Sequence, residues 1–222
     1  MIGIKEKSKG FTLVELIVVM AVFLLVTGTA IGIFISIVRQ QKRILSEQEL
    51  LNQTSYVMEY MSKAMRMARK DETGDCLVKD IDSYPGFVYL LTRPNTGTSF
   101  FEGIKFLNQS DTDGSGLPAC QEFYLDETGV LKEKKTYWPY SPIGDDKAVA
   151  LTSAKFNIEA VRFGINGYNG CYGRPECPQT APEGENDKVQ PRVTILLDIR
   201  VDASQPLRKF QTTVSQRNLN AQ

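Results

Sequence analysis

Residues 16–38 run for 23 positions without a charged side chain, and the chain then turns polar without any break signal. At helical rise this run is about 34 Å long, which matches a hydrocarbon core of roughly 30 Å. Residues 39–70 contain no Pro or Gly and are rich in Gln, Glu, Leu, Met, Lys and Arg, all good helix formers. Within them apolar residues recur at Ile44, Leu51, Met58 and Met65, with Met61 and Ala68 filling the intervening turn, a helix-spaced stripe. The pattern predicts one helix from residue 11 to 69, about 90 Å long. Its first half is apolar all round and its second half has one apolar face. Asp71-Glu72-Thr73-Gly74-Asp75 ends it.

Beyond Gly74 the period changes. Residues 87–91, 103–107, 122–125 and 130–132 read as strands, and Asp126-Glu127-Thr128-Gly129 between the last two reads as a hairpin turn. Later strands are expected at 161–165, 192–201 and 210–214, with 192–201 the longest and central. Residues 139–147 and 171–191 are rich in Pro, Gly, Asp and Asn and read as surface loops. The expected fold class is α+β, a long N-terminal helix packed on an antiparallel sheet. The expected division is 1–10 leader, 11–38 membrane helix, 39–70 amphipathic continuation and 71–222 β-rich head.

The whole chain has 26 basic and 26 acidic side chains, and removing residues 1–10 leaves 23 against 25. That balance exerts no global pull toward nucleic acid or anionic lipid. No histidine occurs anywhere, which removes the commonest metal ligand and general base. No nucleophile–base pair, phosphate loop or basic–aromatic strip emerges. Residues 1–10 are too short and polar for a conventional signal peptide, so the apolar run is expected to stay with the mature protein. Lys5, Lys7 and Lys9 before it predict a cytoplasmic N-terminus and an extracytoplasmic remainder.

At the junction of leader and apolar run stands Lys9-Gly10-Phe11-Thr12-Leu13-Val14-Glu15. A lone carboxylate in such a run is costly, roughly 2.5–3.5 kcal/mol at the centre of a membrane helix and less toward its end. Gly10, Phe11, Glu15 and the hydrophobic stretch at this spacing resemble the processing site of type IV prepilins and type II secretion pseudopilins. The resemblance covers about residues 8–38. It implies a prepilin peptidase that cuts after Gly10 and methylates the new amino group of Phe11. It also implies a pilin fold and a filament of similar subunits. In a bundle of parallel helices, Glu15 of one subunit would meet the Phe11 amine of its neighbour. At 4 Å that pair is worth about 4 kcal/mol at an effective dielectric near 20, before desolvation. Such pairing sets axial register. The competing reading leaves Glu15 wet at headgroup level.

Further implied partners are other pilin or pseudopilin subunits, a membrane assembly platform and cytoplasmic membrane lipid; no nucleic acid is indicated. The tail Gln211-Thr212-Thr213-Val214-Ser215-Gln216-Arg217-Asn218-Leu219 resembles the larger minor pilins and minor pseudopilins. Major pilins commonly carry a Pro within the apolar run, and here there is none. Gly28 and Gly32 read either as a local softening, as a close-packing face, or as small residues of no special role.

Four cysteines all follow the helix. Cys171 with Cys177, and Cys76 with Cys120, are expected disulfides, though four cysteines permit three connectivities. Zinc is the alternative. Asp111, Asp113, Ser115 and Glu122, with the turn-forming Gly116 and the carbonyl of Leu117, fit the spacing of a calcium loop. Pro118 and strand-like flanks favour a solvated turn instead. Asn52 and Asn108 match glycosylation acceptors, a weak signal. Besides a filament subunit, the sequence admits a membrane-anchored extracytoplasmic binding module for calcium, sugar or DNA, and an uncleaved anchor for an enzyme.

Overall fold

A computed structural model of the chain describes residues 10–79, 82–95, 97, 100–137, 140, 148–153, 155–166, 190–202 and 205–217. A single helix, α1, covers Leu13–Arg66. The chain divides into two compact units, Met1–Gln48 and Glu49–Gln222. In the first unit α1 is exposed around its whole circumference, with large apolar side chains such as Leu13, Phe23 and Phe34 in the open.

In the second unit the strands are β1 (Ala68–Arg69), β2 (Val78–Lys79), β3 (Asp82–Ser83), β4 (Tyr89–Pro94), β5 (Phe101–Thr112) and β6 (Pro118–Leu125). They continue with β7 (Leu131–Thr136), β8 (Val149–Ala150), β9 (Asn157–Asn166), β10 (Arg192–Arg200) and β11 (Arg208–Ser215). The main sheet runs β11-β10-β9-β5-β6-β7-β8, with β4 and β1 also paired to β5, and β2 and β3 form a small separate hairpin. The pairings are antiparallel. The α+β architecture expected from the sequence is the one found.

Two details differ. The longest strand is β5, with 12 residues, and it pairs with β1, β4, β6 and β9, whereas β10 lies between β9 and β11. The apolar run of β10 reflects the burial of Val193, Ile195, Leu197 and Ile199, not a central place in the sheet. The polar end of β5 is held by backbone pairing at a hairpin, which needs no apolar side chains.

The helix stripe is also rotated. Leu50, Val57, Met61 and Met65 are buried with Thr54, Met58 and Ala64, whereas Ile44 and Leu51 are about half exposed. A strict seven-residue spacing drifts about 20° per heptad on a straight helix, so a row drawn back from Met65 has left the buried face by Leu51, and α1 buries no residue before Leu50 on any face. The buried helix face packs with Tyr89, Ile104, Phe106, Phe123, Val161 and Ile195 into the main core.

The helix ends at Arg66, short of residue 69, because its last carbonyls find partners in β4 and in the segment after β11. Tyr89 Oη donates to the Met65 carbonyl at 2.6 Å and the Arg217 N–H to that of Arg66 at 2.8 Å. Gln109 N–H reaches the Met67 carbonyl at 3.1 Å, and Gln216 Nε2 that of Ala68 at 2.9 Å. Two carbonyls that the helix end leaves open, those of Met65 and Arg66, and two just beyond it are thereby satisfied, and Ala68 and Arg69 join β5 as β1.

Polar side chains bind α1 to the sheet as well. Tyr60 Oη donates to Glu133 Oε1 at 2.7 Å, and the same oxygen accepts from Gln121 Nε2, whose amide oxygen accepts from Asn108 Nδ2 at 2.7 Å. Lys135 lies 3.4 Å from Glu133 Oε1 and 2.7 Å from Asp111 Oδ2. Burial pushes the Tyr60 hydroxyl above its ordinary pKa, and the hydrogen bond to Glu133 adds to the rise. For Lys135 burial acts downward, but Asp111, Glu133 and Tyr60 outweigh it and hold the ammonium well above its ordinary range.

Candidate functional site

Gly10 and Phe11 are exposed, and helical backbone begins only at Leu13. Thr12 is the reason for that start. Its Oγ1 accepts the backbone N–H of Glu15 at 3.3 Å, and its carbonyl accepts that of Leu16 at 3.2 Å. A helix leaves its first N–H groups without internal partners, and a threonine hydroxyl at the N-cap satisfies one of them. Glu15 then falls at the acidic position of the Thr-x-x-Glu capping pattern, in the first turn, where the helix dipole favours a negative charge. The carboxylate has a local role here in addition to any meeting with a neighbour. Thr12 was missed in the sequence, although the Thr-x-x-Glu spacing was the signal for it.

The consequence for chemistry is access. The Gly10–Phe11 peptide lies outside the helix with both residues in the open, the condition under which a peptidase reaches a bond. The helix beyond is suited to lipid. By length and composition α1 can cross a membrane. Two hydroxyls within the apolar run are satisfied internally, Thr27 Oγ1 donating to the Phe23 carbonyl and Thr29 Oγ1 to that of Val26, each at 2.8 Å. A Cβ added at Gly28 or Gly32 would meet nothing within 4 Å.

Cys76 and Cys120 form a disulfide. Both belong to a second core with Leu77, Phe87, Leu90 and Leu107. As a disulfide this pair has no thiolate to offer zinc. Cys171 and Cys177 lie outside the described residues.

The calcium loop expected at Asp111, Asp113, Ser115 and Glu122 does not take the form of a cation cage. Asp111 gives one oxygen to Lys135 and accepts the Tyr137 hydroxyl on the other at 3.0 Å. Partial burial raises its pKa, but the bonds from Lys135 and Tyr137 outweigh that and leave it lowered. Asp113 Oδ1 accepts the N–H groups of Ser115 at 2.9 Å and Leu117 at 2.8 Å, which folds the turn upon itself. Glu122 is drawn into β6 opposite Lys105, where Oε1 accepts the Thr92 hydroxyl at 2.6 Å. The four residues are therefore not brought together here: strand pairing places Glu122 opposite Lys105, and Lys135 pairs with Asp111. Among the described residues no three or more His, Cys, Asp or Glu side chains come together to hold a metal ion. Asn108 is buried and bonded to Gln121, so it presents no amide for glycosylation.

Residues 5–31 match the family model described as the prokaryotic N-terminal methylation motif. The matched stretch contains Gly10, Phe11, Thr12 and Glu15 and runs into α1, so the chain carries the prepilin-type signature on a long N-terminal apolar helix. No curated protein and no solved structure matches the chain.

Proposed function

From the prepilin-type signature at residues 5–31 and the apolar helix that begins within it, we infer that this chain is a processed structural subunit of a type IV pilus-like or type II secretion filament. Within that class we read it as a minor pilin or minor pseudopilin. The carrying observation is the coincidence of sequence motif and helix onset: the bond after Gly10 stands free, and two residues later Thr12 and Leu13 open α1.

In this reading α1 anchors the precursor in the cytoplasmic membrane with residues 1–9 on the cytoplasmic side. A prepilin peptidase removes the leader after Gly10 and methylates the Phe11 amine. The ammonium so created sits beside the positive end of the helix dipole, which disfavours it, and Glu15 one turn on supplies the compensating charge. Glu15 of one subunit and the Phe11 amine of the next then set the axial offset as helices leave the membrane for the filament. An unpaired carboxylate in hydrocarbon is penalised, so one offset is preferred over the others.

The test is the mass of the protein recovered from cells that contain a prepilin peptidase. The expected product begins at Phe11 and carries one added methyl group, and Gly10→Val is expected to leave the leader attached. Glu15→Ala is expected to be cut normally but not to enter filaments. Filaments containing uncut Gly10→Val at the wild-type level would sink the reading. Normal function of Glu15→Ala outside any filament would favour a membrane-tethered binding module.

A further inference from the structure

Between β1 and β4 the chain leaves the sheet and returns to it, and the described residues of this strap, 71–79 and 82–87, are tied mostly to one another. Asp71 pairs with Phe87 as an isolated bridge, and the Gly86 N–H donates back to the Asp71 carbonyl at 2.6 Å. The buried Asp71 carboxylate accepts the N–H groups of Gly74 at 3.0 Å, Cys76 at 2.9 Å and Leu77 at 2.8 Å. Ser83 Oγ donates to the Gly74 carbonyl at 2.7 Å, and the Tyr84 N–H to that of Leu77 at 2.9 Å. The strap thus has a shape of its own. It meets the sheet through Leu77 and Phe87, which pack with Leu90 and Leu107, and through the covalent bond from Cys76 to Cys120 of β6.

That bond is sealed by the strap it holds. Cys76 is 0% exposed and Cys120 3% exposed. Thiol–disulfide exchange requires a thiolate to approach a sulfur atom directly, so neither bond formation nor bond cleavage can proceed while the strap is shut. We propose that closure of the 71–87 strap is gated by oxidation: the strap must stand open for Cys76 and Cys120 to be joined, and once joined they lock it over Leu90 and Leu107. The electron acceptor is a disulfide-bearing thiol oxidant. One cysteine thiolate attacks the donor disulfide, forms a mixed disulfide and releases the first donor thiol. The second cysteine attacks the mixed disulfide, closes Cys76–Cys120 and releases the second donor thiol. Two electrons pass to the donor, and the two protons lost by the cysteines end on its thiols. In a reducing compartment the strap stays unlocked, and Leu77, Phe87, Leu90 and Leu107 exchange between covered and open. This inference is independent of the filament reading.

The test uses the full-length oxidised chain in detergent micelles with dithiothreitol as the probe, and trapping of the freed Cys76 and Cys120 thiols as the readout. The expected rate of reduction rises with dithiothreitol and then levels off, because opening of the strap becomes limiting. Asp71→Asn is expected to raise that plateau at least tenfold. In the double variant Cys76→Ser, Cys120→Ser, the amides of Leu77 and Tyr84 are expected to exchange at least 100-fold faster than in the oxidised chain. Those of Ile195 and Leu197 in β10, which report the remaining sheet, are expected to be unchanged. A rate that climbs linearly with dithiothreitol to the highest concentration, with no plateau, would overturn the proposal even where a variant failed to fold. So would strap amides as slow in the double serine variant as in the oxidised protein.

Discussion

Asp71 Oδ2 accepts the backbone N–H of Cys76 at 2.9 Å, so the carboxylate at the start of the strap positions one half of the disulfide that holds it. Asp71 is 2% exposed and serves three backbone donors in all. Asparagine is nearly isosteric, but its NH₂ group must replace Oδ1, which serves Gly74, or Oδ2, which serves Cys76 and Leu77, and so leaves at least one buried N–H without an acceptor. Asp71→Asn is expected to cost about 2–4 kcal/mol, since hydrogen bonds to a charged group are the stronger ones and buried donors are costly to leave unpaired. Thermal unfolding of the full chain in detergent checks this; an unchanged midpoint would show that the carboxylate charge is dispensable.

Tyr89→Phe tests the closing of α1. The hydroxyl is buried, donates to the Met65 carbonyl and has its pKa pushed well up by burial. Its removal leaves one carbonyl of the last helical turn without that donor while the ring packing stays. A loss of about 1–2 kcal/mol in urea unfolding is expected, with no change in helix content by circular dichroism.

Asp126 gives the chain an acid-sensitive turn. Partial burial raises its pKa, but the Lys132 ammonium at 2.7 Å, the Val130 N–H and the Thr128 hydroxyl outweigh that and bring it down to about 2. Because the folded value lies below the ordinary carboxylate value, the stabilisation is complete above the unfolded pKa. It is lost as the pH falls through about 2. Discounted for solvent screening, the expected contribution is about 1 kcal/mol. Asp126→Asn should therefore lower stability at neutral pH and flatten its fall between about pH 4 and pH 2, as read from denaturant midpoints.

Gly129 completes the same turn. Its φ is +75°, and a Cβ there would stand 3.2 Å from the Ile158 carbonyl oxygen. Gly129→Ala is expected to cost about 1–2 kcal/mol from the left-handed backbone alone. The measured cost should exceed that if the Ile158 carbonyl cannot yield.

Much of this was legible in the sequence because it depends on local periodicity. The unbroken run of residues 16–38 and the helical spacing after it foretold α1, and the alternation at 103–107, 122–125 and 192–201 foretold β5, β6 and β10. Gly129 marked its turn, as the glycine after Asp126-Glu127-Thr128 suggests. What stayed hidden depends on distant partners. Ala68 and Arg69 carry good helix formers around them, yet Asn108 and Leu107 claim their backbone for the sheet. Asn108, Gln121 and Glu133 look like surface residues until β5, β6 and β7 are laid side by side and Tyr60 arrives from α1. The acidic spacing at Asp111–Glu122 suggested a cation, but Lys135, 13 residues downstream of Glu122, decides what Asp111 meets. Thr12 differs from these: its signal was local and simply went unread.

The carbonyls of Met65, Arg66, Met67 and Ala68 are answered by Tyr89, Arg217, Gln109 and Gln216. Two of those donors, Gln216 and Arg217, lie about 150 positions further along the chain. The helix therefore precedes the sheet in synthesis but is finished only after β11. Until Gln216 and Arg217 arrive, the carbonyl of Arg66 at the helix end and that of Ala68 just beyond it must remain hydrated, and contacts of such long sequence separation are slow to form. A chain cut before β11 should hold α1 with a frayed end, so Gln216 and Arg217 act as a distant part of the helix's own stop signal.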